Sequence, residues 1–372
     1  MRDRGRTEER GSAVTSGVTG DGARRAFIGS FTSAGGRGIT AAAVDPGTGE
    51  LNVLGTTDAV PDPSYLAVGH GPGPGGGVLY AVSETEPGAA AALDITGDVP
   101  RPIGGLRPVD GEGPTHLSLA AGRLLTANYG SGSVTALSVD PDGSVGPVGS
   151  VLRHEGSGPD VDRQRAPHAH QVLPDPSGEW VLSVDLGTDS VRVCALDPAS
   201  GALRLHGETA LRPGTGPRHL AFHPRGGHAY VLNELEPTVT VCRWDAVAGV
   251  LEPVAETAVL PEGAGGDEDL VTYPSEVVVS HDGRFLWTAN RGHDSISVLA
   301  LDPTGEEATP VTTVDCGGRW PRDLALDPTG RWLYAANERS GDVTWFAVDP
   351  TTGVPRRAGA LDVPAASCVV FA

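Results

Sequence analysis

The feature that most constrains this chain is a segment of about fifty residues that keeps returning. Its first part reads PSYLAV from Pro63, PTHLSL from Pro114, PRHLAF from Pro217, PSEVVV from Pro274 and PRDLAL from Pro321. Most copies continue through a P-x-G or D-G turn into an apolar run that ends in Asn or another small polar residue: LYAVSE, LLTANY, WVLSVD, AYVLNE, LWTANR and LYAANE. A third, alternating run follows (SVTALSVD, SVRVCALD, TVTVCRWD, SISVLALD, DVTWFAVD), then a Gly-rich turn such as PASGAL or PTTGVP and a weaker fourth run. Alternation with period two is the mark of strands, and the 3.6 period of helical solenoids is missing.

Four strands per unit, repeated at this interval, predict an all-β fold, a β-propeller of four-stranded antiparallel blades. The chain ends give the blade count. PAASCVVF (364–371) is a first strand with nothing after it, while AFIGSFT and GITAAAVDPGTGEL near the start are a second and third strand with no first. Joined, they complete one blade; with the starts at 63, 114, 167, 217, 274 and 321 the ring has seven. Closure removes a free sheet edge. Residues 1–24, charged and Gly-rich, are expected to be a disordered tail, and 25–372 a single propeller domain. GPGPGG (71–76) reads as a loop insertion and EGAGGDED (262–269) as a solvated acidic loop.

Composition narrows the function. The net charge of −20 argues against a nucleic-acid partner, which requires a basic footprint. All 27 basic residues are arginines, so no lysine is present to form a Schiff base. No apolar run approaches eighteen residues, and the N-terminal segment has no apolar core like that of a signal peptide. Cys194, Cys242, Cys316 and Cys368 follow no zinc spacing and read as small buried residues of a reduced, cytoplasmic protein. No G-x-S-x-G elbow is present.

In an antiparallel meander the residue after the first-strand proline and the residue after the second-strand Asn lie at the same end of the blade, near the axis. With Ala169 aligned to Pro217, the first ring reads Ser64, Thr115, His170, Arg218, Ser275, Arg322 and Ala365. The Asn-type position (Ser83, Asn128, Asp185, Asn233, Asn290, Asn337) recurs and reads as scaffold, capping the turn between strands two and three. The residue after it does not recur: Phe31, Glu84, Tyr129, Leu186, Glu234, Arg291, Glu338. Deviating residues are the candidates for chemistry, and His170, Arg218, Glu234 and Arg291 fall in three consecutive blades. Arg218–Glu234 and Arg322–Glu338 can equally be plain ion pairs, the favoured reading for the second. His168 and His170 form an H-x-H that could serve a metal, although no third ligand is near in sequence. His219, His223 and His228 read as turn or surface residues.

FIGSFTS, GPTHLSL, TANYGSGSV, RQRAPHAHQVLPDPSGEW, GPRHLAFHP, VLNELEPTVTV and TANRGHDSISV together resemble the seven-bladed propeller lactonases, the 6-phosphogluconolactonase/carboxymuconate-cyclase group, from about residue 26 to the end. The resemblance implies an active-site set of His170, Arg218, Glu234 and Arg291, with His168, Arg322, Asn128 and Glu338 as candidates for holding substrate. It implies hydrolysis of a small anionic sugar lactone, 6-phospho-D-glucono-1,5-lactone foremost, without metal or cofactor, by a monomer or weak oligomer. Glu234 is the expected base, with His170 assisting or exchanging roles, and the two arginines serve phosphate or oxyanion. Two other readings stay open: a muconate-type lactonising or delactonising isomerase, and a non-enzymatic propeller that binds a protein partner.

Overall fold

A computed structural model describes residues 24–70, 77–261 and 271–372. The proposed tail, apart from Arg24, and both loop insertions, 71–76 and 262–269, lie outside the described residues. Twenty-eight strands form seven four-stranded antiparallel sheets, arranged as the blades of a propeller. In blade 1 the C-terminal strand Ala366–Phe371 lies innermost and pairs with Arg25–Ser30, so the two chain ends close the ring as expected. Blades 2 to 7 follow in chain order, each starting with its innermost strand.

There is no single central core. Each apolar cluster lies between two neighbouring blades, as where Leu182, Val184 and Val193 of blade 4 meet Leu220, Val231 and Trp244 of blade 5. Aromatic second-strand residues then staple each blade to the next. Tyr80 donates to the Gly143 carbonyl (3.0 Å), Tyr230 to Gly305 (2.9 Å), Trp287 Nε1 to Gly353 (2.8 Å) and Tyr334 to Gly49 (2.7 Å). The last of these joins blade 7 to blade 1 across the closure. Gly49 has φ +70°, and a Cβ there would sit 2.5 Å from the Trp332 ring, so only glycine fits this turn.

The recurring Asn is scaffold, but it does more than cap a turn. Asn290, fully buried, donates from Nδ2 to Ser295 (3.0 Å) and Ser297 (2.8 Å) and accepts from Thr288 (3.2 Å). Asn128 repeats the pattern with Ser133, Thr135 and Thr126. The amide thus ties the second strand to the third inside the blade, where an unpaired polar group would be costly.

The pairing registers reveal a feature that alternation does not. Each innermost strand carries a β-bulge just after its proline. The register shifts between Pro114 and His116, Ala169 and Gln171, Pro217 and His219, Pro274 and Val277, and Pro321 and Asp323. The bulge leaves Thr115, His170, Arg218 and Arg322 unpaired in the ladder and re-aims them. In blade 1, Ser30 pairs with Ala366 and Gly29 with Cys368, so the ring position belongs to Ser367 and not to Ala365.

Replacing Asn290 by Ala strands two buried hydroxyls. It should cost about 1–3 kcal/mol, read as a lower urea midpoint, with the ring of blades intact by circular dichroism.

Candidate active site

The first ring and the position after the second-strand Asn meet where predicted. Arg218 Nε lies 3.2 Å and Arg291 Nη2 2.8 Å from the same Glu234 oxygen, Oε2. All three side chains are less than a tenth exposed. Arg218 also donates to the Ser275 carbonyl of blade 6, and Arg291 Nε donates to the Tyr273 carbonyl (3.1 Å). Both guanidinium planes are therefore fixed by backbone as well as by Glu234.

A third arginine, which the repeat does not mark, completes the cluster. Arg163 Nη2 donates to Glu234 Oε1 at 2.7 Å and to the Tyr129 hydroxyl at 3.4 Å. It stands on the irregular segment between blades 3 and 4. The neighbouring Gln164 anchors that segment, donating from a fully buried amide to the Leu186 carbonyl and the Asp189 carboxylate. Arg163 is about one third exposed, so it lies nearer solvent than Arg218 and Arg291.

These contacts decide the ionisation of the cluster. Burial pushes the Glu234 carboxyl up, but Arg291, Arg218 and Arg163 more than offset it and hold its pKa at about 2. Burial and the neighbouring Arg291 bring Arg218 down to about 9, which leaves it charged at neutral pH. His170 is fully enclosed, and burial first, then Arg218, keeps its pKa well below that of a free imidazole. It is therefore neutral, with a lone pair available as a base. Three guanidiniums on one carboxylate leave a surplus of two positive charges in this group.

The outer candidates divide. Arg322 pairs with Glu338 (3.3 Å) and lies 3.7 Å from Glu84, while its guanidinium sits 4.9 Å from the centre of the Phe31 ring. That is the ion pair favoured from sequence, enlarged by one carboxylate. His168 stacks on Tyr129 at 4.3 Å and bonds through Nδ1 to the Tyr129 carbonyl (2.8 Å). Asn128 is excluded from a direct role, because its amide is engaged within the blade and buried. Among the described residues no group of three or more His, Cys, Asp or Glu is arranged to hold a metal ion, so the H-x-H pair finds no third ligand there.

His219 needs correction. It is not at a turn or the surface but 2% exposed, in a second polar layer beside the first ring. The bulge is the reason: it shifts the residue after Arg218 back into the ladder, where simple alternation from Pro217 would misplace it. The rings of Tyr65, His116 and His219, from blades 2, 3 and 5, lie 4.2 to 6.2 Å apart, which is possible only across the axis. His223 does sit at a turn but is buried, bonding to the Gly283 carbonyl of blade 6 (3.1 Å). His228 is half-buried beside Glu306. The signal for the second layer was a polar residue (His116, Gln171, His219, Glu276, Asp323) inside otherwise apolar first strands.

Glu234→Gln leaves Arg218 and Arg291 buried without their counter-charge, an arrangement that costs about 3–5 kcal/mol. The variant should unfold at lower urea than wild type at pH 7, and excess inorganic phosphate should raise its Tm more than that of wild type. Because the folded pKa is depressed from 4.5 to about 2, the contribution is full above 4.5 and is lost as pH falls through 2. The gap between the two proteins should close over that window.

Comparison with known proteins agrees with this geometry. Residues 25–371 match the family described as Lactonase, 7-bladed beta-propeller. A 6-phosphogluconolactonase of Bacillus subtilis is 33% identical over 306 residues, covering 80% of this chain and 83% of that protein. The periplasmic gluconolactonase of Pseudomonas aeruginosa superposes with a TM-score of 0.85 at 28% identity, covering 94% of this chain and 98% of the other. A crystal structure from Bacteroides fragilis gives a TM-score of 0.86 at 27% identity, covering 95% and 99%. The chain belongs to the seven-bladed β-propeller lactonase family.

Proposed function

We propose that this lactone hydrolase opens 6-phospho-D-glucono-1,5-lactone to 6-phosphogluconate, a step of the pentose phosphate pathway, in the cytoplasm. The observation that carries this reading is the surplus of positive charge around Glu234, set in a protein of net charge −20. Such a local excess selects a small anion against the sign of the whole molecule. The 6-phosphogluconolactonase relative supports the phosphorylated ring.

The ionisation states rank His170 ahead of Glu234 as the base. A carboxylate held at about 2 by three guanidiniums has little affinity for a proton, whereas a neutral imidazole has a free lone pair. His170 takes a proton from water as its oxygen adds to the ring carbonyl carbon, and the carbonyl electron pair moves onto oxygen. Arg218 and Arg291, fixed by backbone carbonyls, stabilise that oxyanion without reorganising. The intermediate then collapses, the ring C–O bond breaks, and the imidazolium returns its proton to the leaving alkoxide. Glu234 aligns the arginines, and Arg163, nearer solvent, grips the phosphate.

The gluconolactonase relative favours a second substrate, the unphosphorylated ring, which the same residues would open. Proton release above the spontaneous rate, measured with both lactones, separates the two. His170→Ala should lower kcat by about 10²-fold or more, and Arg218→Ala by about 10²-fold. Arg163→Ala should raise KM for the phosphorylated lactone and leave that for gluconolactone nearly unchanged. No acceleration of either lactone by folded wild type would overturn the reading.

A further inference from the structure

The second polar layer contains a group that the proposed mechanism does not use. His219 Nδ1 lies 2.7 Å from Glu276 Oε2, and both residues are buried. Glu276 Oε1 accepts from the Val277 N–H (2.9 Å). Behind it, Asp323 accepts from the Val369 N–H (2.8 Å) and, as the protonated partner, donates to Glu276. On the other side, the His219 ring stands 5.1 Å from that of His170. His170 Nδ1 and His219 Nε2 are each enclosed without a hydrogen-bond partner from the protein. We propose that Glu276, acting through His219, sets the proton affinity of His170 and is a positioning residue for the base.

The argument is one of hydrogen accounting. When Glu276 is ionised, His219 must carry its hydrogen on Nδ1 to donate to the carboxylate, and Nε2 shows a lone pair. When Glu276 is protonated, its hydroxyl donates to Nδ1 and the ring hydrogen moves to Nε2. The carboxyl therefore chooses whether His219 presents His170 with a lone pair or an N–H. A lone pair, backed by negative charge, favours a His170 that keeps its hydrogen on Nδ1 and gains a proton on Nε2. An N–H and no charge oppose it.

The groups around the pair set where the change occurs. His219 is faced by Tyr65, His116, His170 and Arg218, with Arg322, Glu234 and Arg291 acting from farther away. Burial and Arg218 keep it neutral. Glu276 is faced by His219, Arg218, Asp323 and Tyr65; burial raises its pKa to about 7, and Arg218 limits the rise. Asp323 goes higher still, through burial and Glu276. The form that assists His170 is the ionised one, so kcat should rise with pH through about 7.

The proposal depends on the lactonase reading only for its kinetic consequence, and the test separates the two. Histidine ring nitrogens of 15N-histidine-labelled protein are followed by NMR from about pH 6 to 8, in wild type, Glu276→Gln and His219→Gln. The His170 signals should titrate with a midpoint near 7 in wild type and lose that titration in both variants. With 6-phosphogluconolactone, Glu276→Gln should lower kcat by about tenfold, leave KM unchanged and flatten the rise through 7. His170 signals that titrate alike in all three proteins would overturn the proposal, whatever the activity. Wild type that turns over no lactone would overturn the lactonase reading alone, and the spectra would still decide this one.

Discussion

Every innermost strand of a closed ring of blades turns one edge toward the axis, and the N–H groups on that edge have no fifth strand to pair with. A buried N–H without an acceptor is costly, and seven blades multiply the problem. Polar side chains of the second layer answer it from the neighbouring blade. Gln171 accepts from the Leu220 N–H (2.7 Å), His116 is positioned to accept from Val172 (3.5 Å), and Asp323 accepts from Val369 (2.8 Å). The bulge after the proline makes this possible, because it sets two successive polar residues toward the middle of the molecule. Architecture thus demands polar groups on the axis before any chemistry is considered.

The same demand fixes the active site. At ring positions filled by small residues, side-chain hydroxyls tie blades together: Thr115 donates to the His170 carbonyl (3.0 Å) and Ser275 to the Pro321 carbonyl (2.6 Å). Arg218 plays that part too, donating to the Ser275 carbonyl, but its remaining donors face Glu234. The reactive arginine is a blade-to-blade tie with hydrogens to spare. Its orientation is set when the ring closes, which is the preorganisation that stabilising a developing oxyanion requires.

Much of this was legible in the sequence, for a definite reason. A repeat averages out local noise, so strand order, seven blades, closure by the chain ends and the ring residues His170 and Arg218 could be read by aligning copies. Glu234 and Arg291 followed because they break the pattern at a position whose neighbours keep it. Where the reading failed, it failed at the bulge. One extra residue reverses the facing of everything after it, which misplaced His219 and put Ala365 where Ser367 belongs. Arg163 was hidden otherwise: it lies in the one connection with no counterpart in the other blades, where alignment has nothing to compare.

Deviation from a repeat is therefore a sound guide to chemistry only when the position itself is correctly placed. The residue after the ring residue also varies from blade to blade, Tyr65, His116, Gln171, His219, Glu276 and Asp323, and by the same logic it deserved equal weight. It was discounted because alternation seemed to turn it away from the axis. The physical distinction between the layers is charge, not variability. The first layer gathers three guanidiniums on one carboxylate and is made for an anion. The second places two carboxyls that burial keeps partly protonated beside neutral imidazoles, an arrangement that binds no anion but can hold a proton. Catalysis by a neutral imidazole needs both: positive charge where the oxyanion forms, and beneath the base a group whose charge can change by one proton.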